Sequence, residues 1–135
     1  MANLPIFDVA GSAMTAQQVR LSTVASNLAN ADSVTGNADE TFRAKLPVFE
    51  ATPVEGNPAL AGVKVQAVTE STAAPVKRYE PGNPLADAQG YVYAPDIDPV
   101  AQMVDMISAS RSYQANVEVF NTAKELALAT INMGR

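Results

Sequence analysis

The sequence predicts an α+β chain in which long N- and C-terminal helices pack as a coiled-coil-like pair, with a small β-rich middle domain inserted between them. Residues 6–31 and 100–133 are proline-free and amphipathic, whereas residues 36–97 hold seven of the nine prolines. Within that middle, short runs alternate apolar and polar residues with the period of two that a half-buried strand requires. The expected division is a first helix in 1–35, a middle domain in 36–97 with an exposed loop at 51–62, and a last helix in 98–135.

In the first segment Phe7, Ala10, Met14, Gln17, Leu21, Val24 and Leu28 follow alternating steps of three and four, a heptad seam over three repeats. Gln17 is polar within it, either fixing register at a cost in stability or lying at the edge of a drifting stripe. Pro5 suits the first helical turn, and Asn30-Ala31-Asp32-Ser33 followed by Gly36 is a stop.

The middle follows. Phe42 to Val48 and Val63 to Val68 alternate as strands, the first at an edge because of Pro47. Thr52 to Gly62, with Pro53, Gly56, Pro58 and Gly62, is expected to be an exposed loop. Pro81-Gly82 fits a type II turn, and Asp87-Ala88-Gln89-Gly90 a hairpin turn with glycine left-handed.

The last helix is expected to start with Asp98 as N-cap and Pro99 in its first turn, and to end at Gly134. Met103, Met106, Ser110, Tyr113, Val117 and Phe120 keep the three-four spacing until Lys124 interrupts it, and a second apolar line of Val119, Ala123, Leu126 and Met133 opens toward the end. A helix apolar on more than one face is expected to meet more than one partner helix. Neither helix is expected to be stable alone, since the first is rich in Ser, Thr, Asn and Val; both are expected to be partly disordered in the monomer and to fold on association.

Composition excludes much chemistry. The chain has no cysteine, histidine or tryptophan, which removes disulfides, thiolate zinc sites, cysteine nucleophiles and the commonest general base. The net charge of −5 is spread along the chain, so no basic footprint for nucleic acid exists. No window approaches 18 consecutive apolar residues, and the N-terminus lacks the pattern of a cleaved secretory signal, so no direct membrane insertion is expected. Asp96 and Asp98 read as helix-start residues rather than a cation site, and Asp39-Glu40 as solvated surface. Ser108, Ser110 and Ser112 have no histidine to activate them, and a dyad with Lys124 is not supported by spacing alone. No catalytic residue, cofactor or metal is expected.

Two motifs at opposite ends then carry a specific resemblance. Ser26-Asn27-Leu28-Ala29-Asn30-Ala31 is similar to the N-terminal signature of the bacterial flagellar rod and hook axial proteins. Ser110-Arg111-Ser112-Tyr113-Gln114-Ala115-Asn116-Val117-Glu118-Val119, continuing to Lys124, resembles the matching C-terminal signature. With Tyr79 to Asp87 and Gly90-Tyr91-Val92 between them, and with so short a middle, the chain looks like a member of the proximal rod. Only residues 51–62 carry no recognisable signature.

The resemblance implies a structural subunit whose terminal helices form the inner tube of a hollow periplasmic drive shaft that transmits torque and serves as an export channel. It implies copies of the chain, other rod proteins, a rod-to-ring adaptor and membrane-ring components as partners. It also implies transit through the flagellar type III export apparatus without a cleaved signal. The expected assembly residues are Phe7, Met14, Gln17, Leu21, Val24, Asn27, Leu28, Asn30, Met103, Met106, Arg111, Tyr113, Gln114, Asn116, Val117 and Phe120. Asn27 and Asn30 are expected to bridge helix-end carbonyls to an adjacent subunit, against the plainer reading that these amides only cap. A distal rod or hook-type subunit is the alternative within the resemblance. Outside it stand a soluble helical adaptor or export chaperone, and an enzyme built from Asp, Lys and Ser on the middle domain.

Overall fold

The structure is a computed structural model that describes residues 5–134; the first four residues and Arg135, which the sequence assigns to the terminal segments, lie outside the described residues. Helix α1 spans Pro5–Asn30, a short 3-10 turn covers Ala38–Glu40, and four strands follow: β1 (Lys45–Val54), β2 (Asn57–Glu70), β3 (Val76–Tyr79) and β4 (Tyr91–Ala94). Helix α2 spans Pro99–Met133 and closes the chain. The α+β architecture expected from the sequence is the one observed.

Local chemistry sets the helix ends. The Asp98 carboxylate accepts from Val100 N at 2.9 Å and Pro99 takes the first turn, as the sequence implies. Gly134 takes the C-cap position, with its N–H donating to Ile131 O, but its φ of −88° is not left-handed.

The two helices run antiparallel. Phe7 and Phe120 meet edge to face with ring centroids 4.9 Å apart, Arg20 pairs with Asp105, and the Asn27 amide donates to Gln102 Oε1 at 3.2 Å. Small side chains hold this seam. Ala10, Ala16, Thr23, Val24 and Asn27 are the buried residues of α1, and Ala109 is the one buried residue among those described in α2. With Phe7 level with Phe120, the described part of α1 reaches its first residue where α2 still has residues 123–133 to go, about 16 Å at 1.5 Å per residue.

The middle differs from expectation in one large respect. Residues 51–62, read as an exposed loop, are the distal half of a β1–β2 hairpin reversing at Glu55-Gly56, with Thr52 opposite Gly62 and Pro53 opposite Ala61. The prolines are tolerated because of where their missing N–H groups point. Lys45 turns its N–H and C=O away from β2 toward Asn27, so Pro47, two residues on, faces outward too. After the bulge at Val48/Phe49, Val63 turns its N–H outward to Ser12 Oγ at 3.1 Å, and Pro53, two residues beyond Val63's partner Ala51, shares that orientation. The ribbon lies against α1 over this length, and it can come so close because Gly62 has no Cβ: one placed there would stand 2.8 Å from Ser12 Oγ.

The β3–β4 pair is a separate antiparallel hairpin, tied back to the chain after α1 by a bridge between Thr35 and Tyr93. Its connection holds two turns. Asn83 N bonds Glu80 O at 3.0 Å, but Gly82 is not among the positive-φ residues, so this turn is not type II; a proline at its second position and a hydrogen bond across it suffice. Gly90 does take the left-handed conformation expected of it, with φ 83°. Asp87 organises that turn. The Tyr91 amide chiefly holds its carboxyl below the usual aspartate range, helped by the Gln89 amide, the Lys77 ammonium and the Tyr93 hydroxyl, against partial desolvation that raises it. A depressed carboxylate contributes stability above its unfolded pKa and loses it as pH falls through the folded one. Denaturant midpoints should therefore fall with acidification through and below the ordinary aspartate range, and Asp87→Asn should flatten that dependence.

Candidate assembly surface

No helix among the described residues is long and apolar enough to cross a membrane, and no group of three or more carboxylates that could hold a metal occurs among them. What the chain offers instead is helix surface, on which the expected assembly residues fall into three groups.

The first group is spent inside the chain. Asn27 is 2% exposed; its Oδ1 accepts from Lys45 N at 2.8 Å, and its Nδ2 donates to Lys45 O at 2.9 Å and to Gln102 Oε1. An amide with both ends so occupied is a junction of α1, β1 and α2 within the chain. Asn30 donates to Ser26 O at 2.8 Å, one turn back, and Asn116 does the same to Ser112 O. These follow the plainer capping and back-bonding pattern. Val24 is buried, and Phe7 is matched to Phe120.

The second group is half-buried along the helix pair: Met14, Gln17, Leu21 and Leu28 on α1, and Met106, Tyr113 and Val117 on α2. Gln17 Oε1 is buried with no hydrogen-bond partner, so the polar seam position is a cost within the monomer. Gln17→Met should raise stability by about 1 kcal/mol, read as a higher urea midpoint. An unchanged or lower midpoint would mean the oxygen is satisfied in solution.

The third group points away from α1. Met103, Arg111 and Gln114 are exposed. Met103 was expected in the seam, but a line of 3.5-residue steps drifts around a 3.6-residue helix, and the face toward α1 is in fact carried by Gln102, Asp105 and Ala109.

Two apolar surfaces remain uncovered on α2. Val100, Met103, Val104 and Ile107 form a stripe at i, i+3, i+4, i+7, each at least half exposed. Sequence reasoning passed over Val100, Val104 and Ile107 because the heptad line through Met103 was followed instead, though their spacing was visible. The other surface is the part of α2 that extends past the described part of α1. There Leu126 is 64% and Met133 81% exposed, and an open groove of about 500 Å³ runs between Ile6, Val119, Ala123 and Leu126. This is the second apolar line expected from the sequence.

Comparison with known proteins agrees with this geometry. Residues 7–36 match a family model described as flagella basal body rod protein, and residues 88–133 one described as flagellar basal body rod FlgEFG protein C-terminal. The chain is 58% identical over 135 residues to the flagellar basal-body rod protein FlgC of Escherichia coli O6:H1, covering 100% of both chains. The same protein of Salmonella typhimurium is 56% identical over the full length of both. That of Aquifex aeolicus is 44% identical over 119 residues, with 88% of this chain and 87% of the relative covered.

Proposed function

We infer that this chain, which belongs to the flagellar basal-body rod protein family and matches its FlgC members from end to end, is a structural subunit of the proximal rod of the bacterial flagellar basal body. The observation that carries the reading is the 35-residue α2, which shows large apolar side chains on faces that α1 leaves bare. A chain folding for solution use would cover them; a subunit that acquires its neighbours on assembly need not.

On this reading the terminal helices line a hollow shaft that transmits torque and leaves a channel for export, and the β1–β2 and β3–β4 hairpins lie outside it. The C-terminal model is described for FlgEFG proteins of the basal body rod, but the end-to-end match to FlgC proteins supports the proximal rod over a distal or hook-type subunit. The partners are copies of the chain and other rod proteins, with a rod-to-ring adaptor and membrane-ring components at its ends. The route is type III export without a cleaved signal into the periplasmic rod. Thin burial suits that route, because few large side chains of α1 and α2 are fully buried and the pair is readily unfolded for transit. No step of this role needs catalysis.

Mass spectrometry of purified basal bodies, following the tryptic peptide Ser112 to Lys124, tests the reading. The peptide is expected at structural stoichiometry, and a deletion strain should lose both peptide and motility. Intact basal bodies without it would overturn the rod assignment.

A further inference from the structure

The β1–β2 ribbon has almost no interior of its own. No residue of β1 is buried, and Gly62 is the one buried residue among those described in β2. A two-stranded ribbon without a covering layer is marginally stable at best in water, so its order depends on what it lies against. That support is α1. Even there the fit is loose, with open clefts of about 400 and 420 Å³ between the two, one beside Asp8, Thr52 and Lys64 and the other beside Val19, Ser26 and Val68. Hydrogen bonds cross from Ser12 to Val63 and from Asn27 to Lys45.

Helix α1 in turn leans on α2. Its Ser, Thr, Asn and Val content makes it a poor helix alone, and Phe7, Arg20 and Asn27 are met by Phe120, Asp105 and Gln102 of α2. The Asn27 amide links the two dependences, because Nδ2 donates to Lys45 O and to Gln102 Oε1 at once. The β3–β4 hairpin is supported differently. Its Val92 and Ala94 are 0% exposed, and it is bonded to Thr35 and to the turn that Asp87 holds.

We propose that the β1–β2 ribbon is a strap whose docking is conditional on helix pairing: it is ordered when α2 pairs with α1 and loose when α2 leaves, whereas β3–β4 keeps its order in both states. The strap carries Leu46, Val48 and Phe49, all exposed, so an apolar surface is fixed in place only on a chain whose helices have met. Coupling of this kind is reciprocal, and whatever loosens the strap weakens the helix pair by the same factor. The inference stands on contacts within the chain and is independent of the rod reading.

The absence of cysteine from the chain allows the helix pair to be locked at will. Arg20→Cys and Asp105→Cys are joined by a short thiol-reactive crosslinker in the purified full chain, and amide hydrogen exchange is compared before and after linkage. The lock acts on α1 and α2 directly and on the ribbon through them. The expected result is slower exchange by a common factor in α2 and in residues 45–70, with residues 76–94 unchanged. With Asn27→Ala added, the gain in residues 45–70 should shrink while that in α2 remains. Phe7→Cys with Phe120→Cys serves if the first pair does not link. Gly62→Val supplies the reverse arm: it crowds Ser12 and Thr52, yet should speed exchange in α2.

Slowing confined to the helices, with residues 45–70 unchanged, would overturn the proposal. So would equal slowing in β3–β4, because the chain would then respond as a whole. Unchanged α2 exchange in a Gly62→Val chain whose ribbon has loosened would break the required reciprocity and overturn it as well.

Discussion

Asn27→Ala should lower the stability of the folded chain by about 2–3 kcal/mol, as a drop in the urea midpoint, and should abolish motility. The size follows from what the truncation leaves behind. Lys45 N–H and C=O lose their partner at the start of β1, Gln102 loses its donor, and the site is sealed well enough that the Asn27 side chain is almost wholly excluded from solvent. Loss of the junction should also be visible locally, as faster hydrogen exchange in the β1–β2 hairpin than in β3–β4. Asn30→Ala, which removes one bond to Ser26 O on a half-buried helical turn, should cost less than about 1 kcal/mol. Equal effects of the two substitutions would argue that Asn27 acts only as a helix-end residue.

Ala109→Leu should have an effect of similar size through the opposite error, too much volume instead of a missing partner. Ala109 is 0% exposed and lies between the Phe7–Phe120 and Arg20–Asp105 contacts, level with the stretch of α1 that holds the buried Ala16. Overpacking such a site typically costs about 1–3 kcal/mol, and here the helices must separate along a seam only one small residue deep. The urea midpoint should fall and the Phe7–Phe120 contact should loosen. Ile107→Leu, on the outer face of the same helix, should be close to neutral in the free chain. Equal tolerance at both positions would mean that the helices do not pack in the register described.

These two substitutions also mark what was legible in the sequence. Helix ends were, because Pro5, Asp98 and Pro99 act on backbone groups within a turn of themselves. The left-handed Gly90 was readable for the same reason. The distal half of the hairpin was not, since Pro53, Gly56 and Gly62 are turn and loop residues by local rule, and only the pairing shows Pro53 with its missing N–H turned outward and Gly62 against Ser12. The role of Asn27 was hidden more deeply. Its position near a helix end suggested capping or a contact outside the chain, but its partners are backbone atoms 18 residues away and a side chain 75 residues away. The seam on α2 was legible in kind and off in phase: Phe120 lies on it, whereas Met103 has drifted to the outer face. Family membership was the most legible feature of all, because signatures at both ends survive without any knowledge of the contacts that maintain them.

The two points at which the β1–β2 ribbon is fastened to α1 have a mechanical consequence. Asn27 grips the start of β1, and Ser12 grips β2 at Val63, positions on α1 separated by about 22 Å. A ribbon fastened at one point is a hinge, free to swing and to unzip bond by bond. Fastened at two, it is a splint: a twist or shear along α1 loads both attachments in parallel, so the hairpin stiffens the helix it lies on and turns with it as one body.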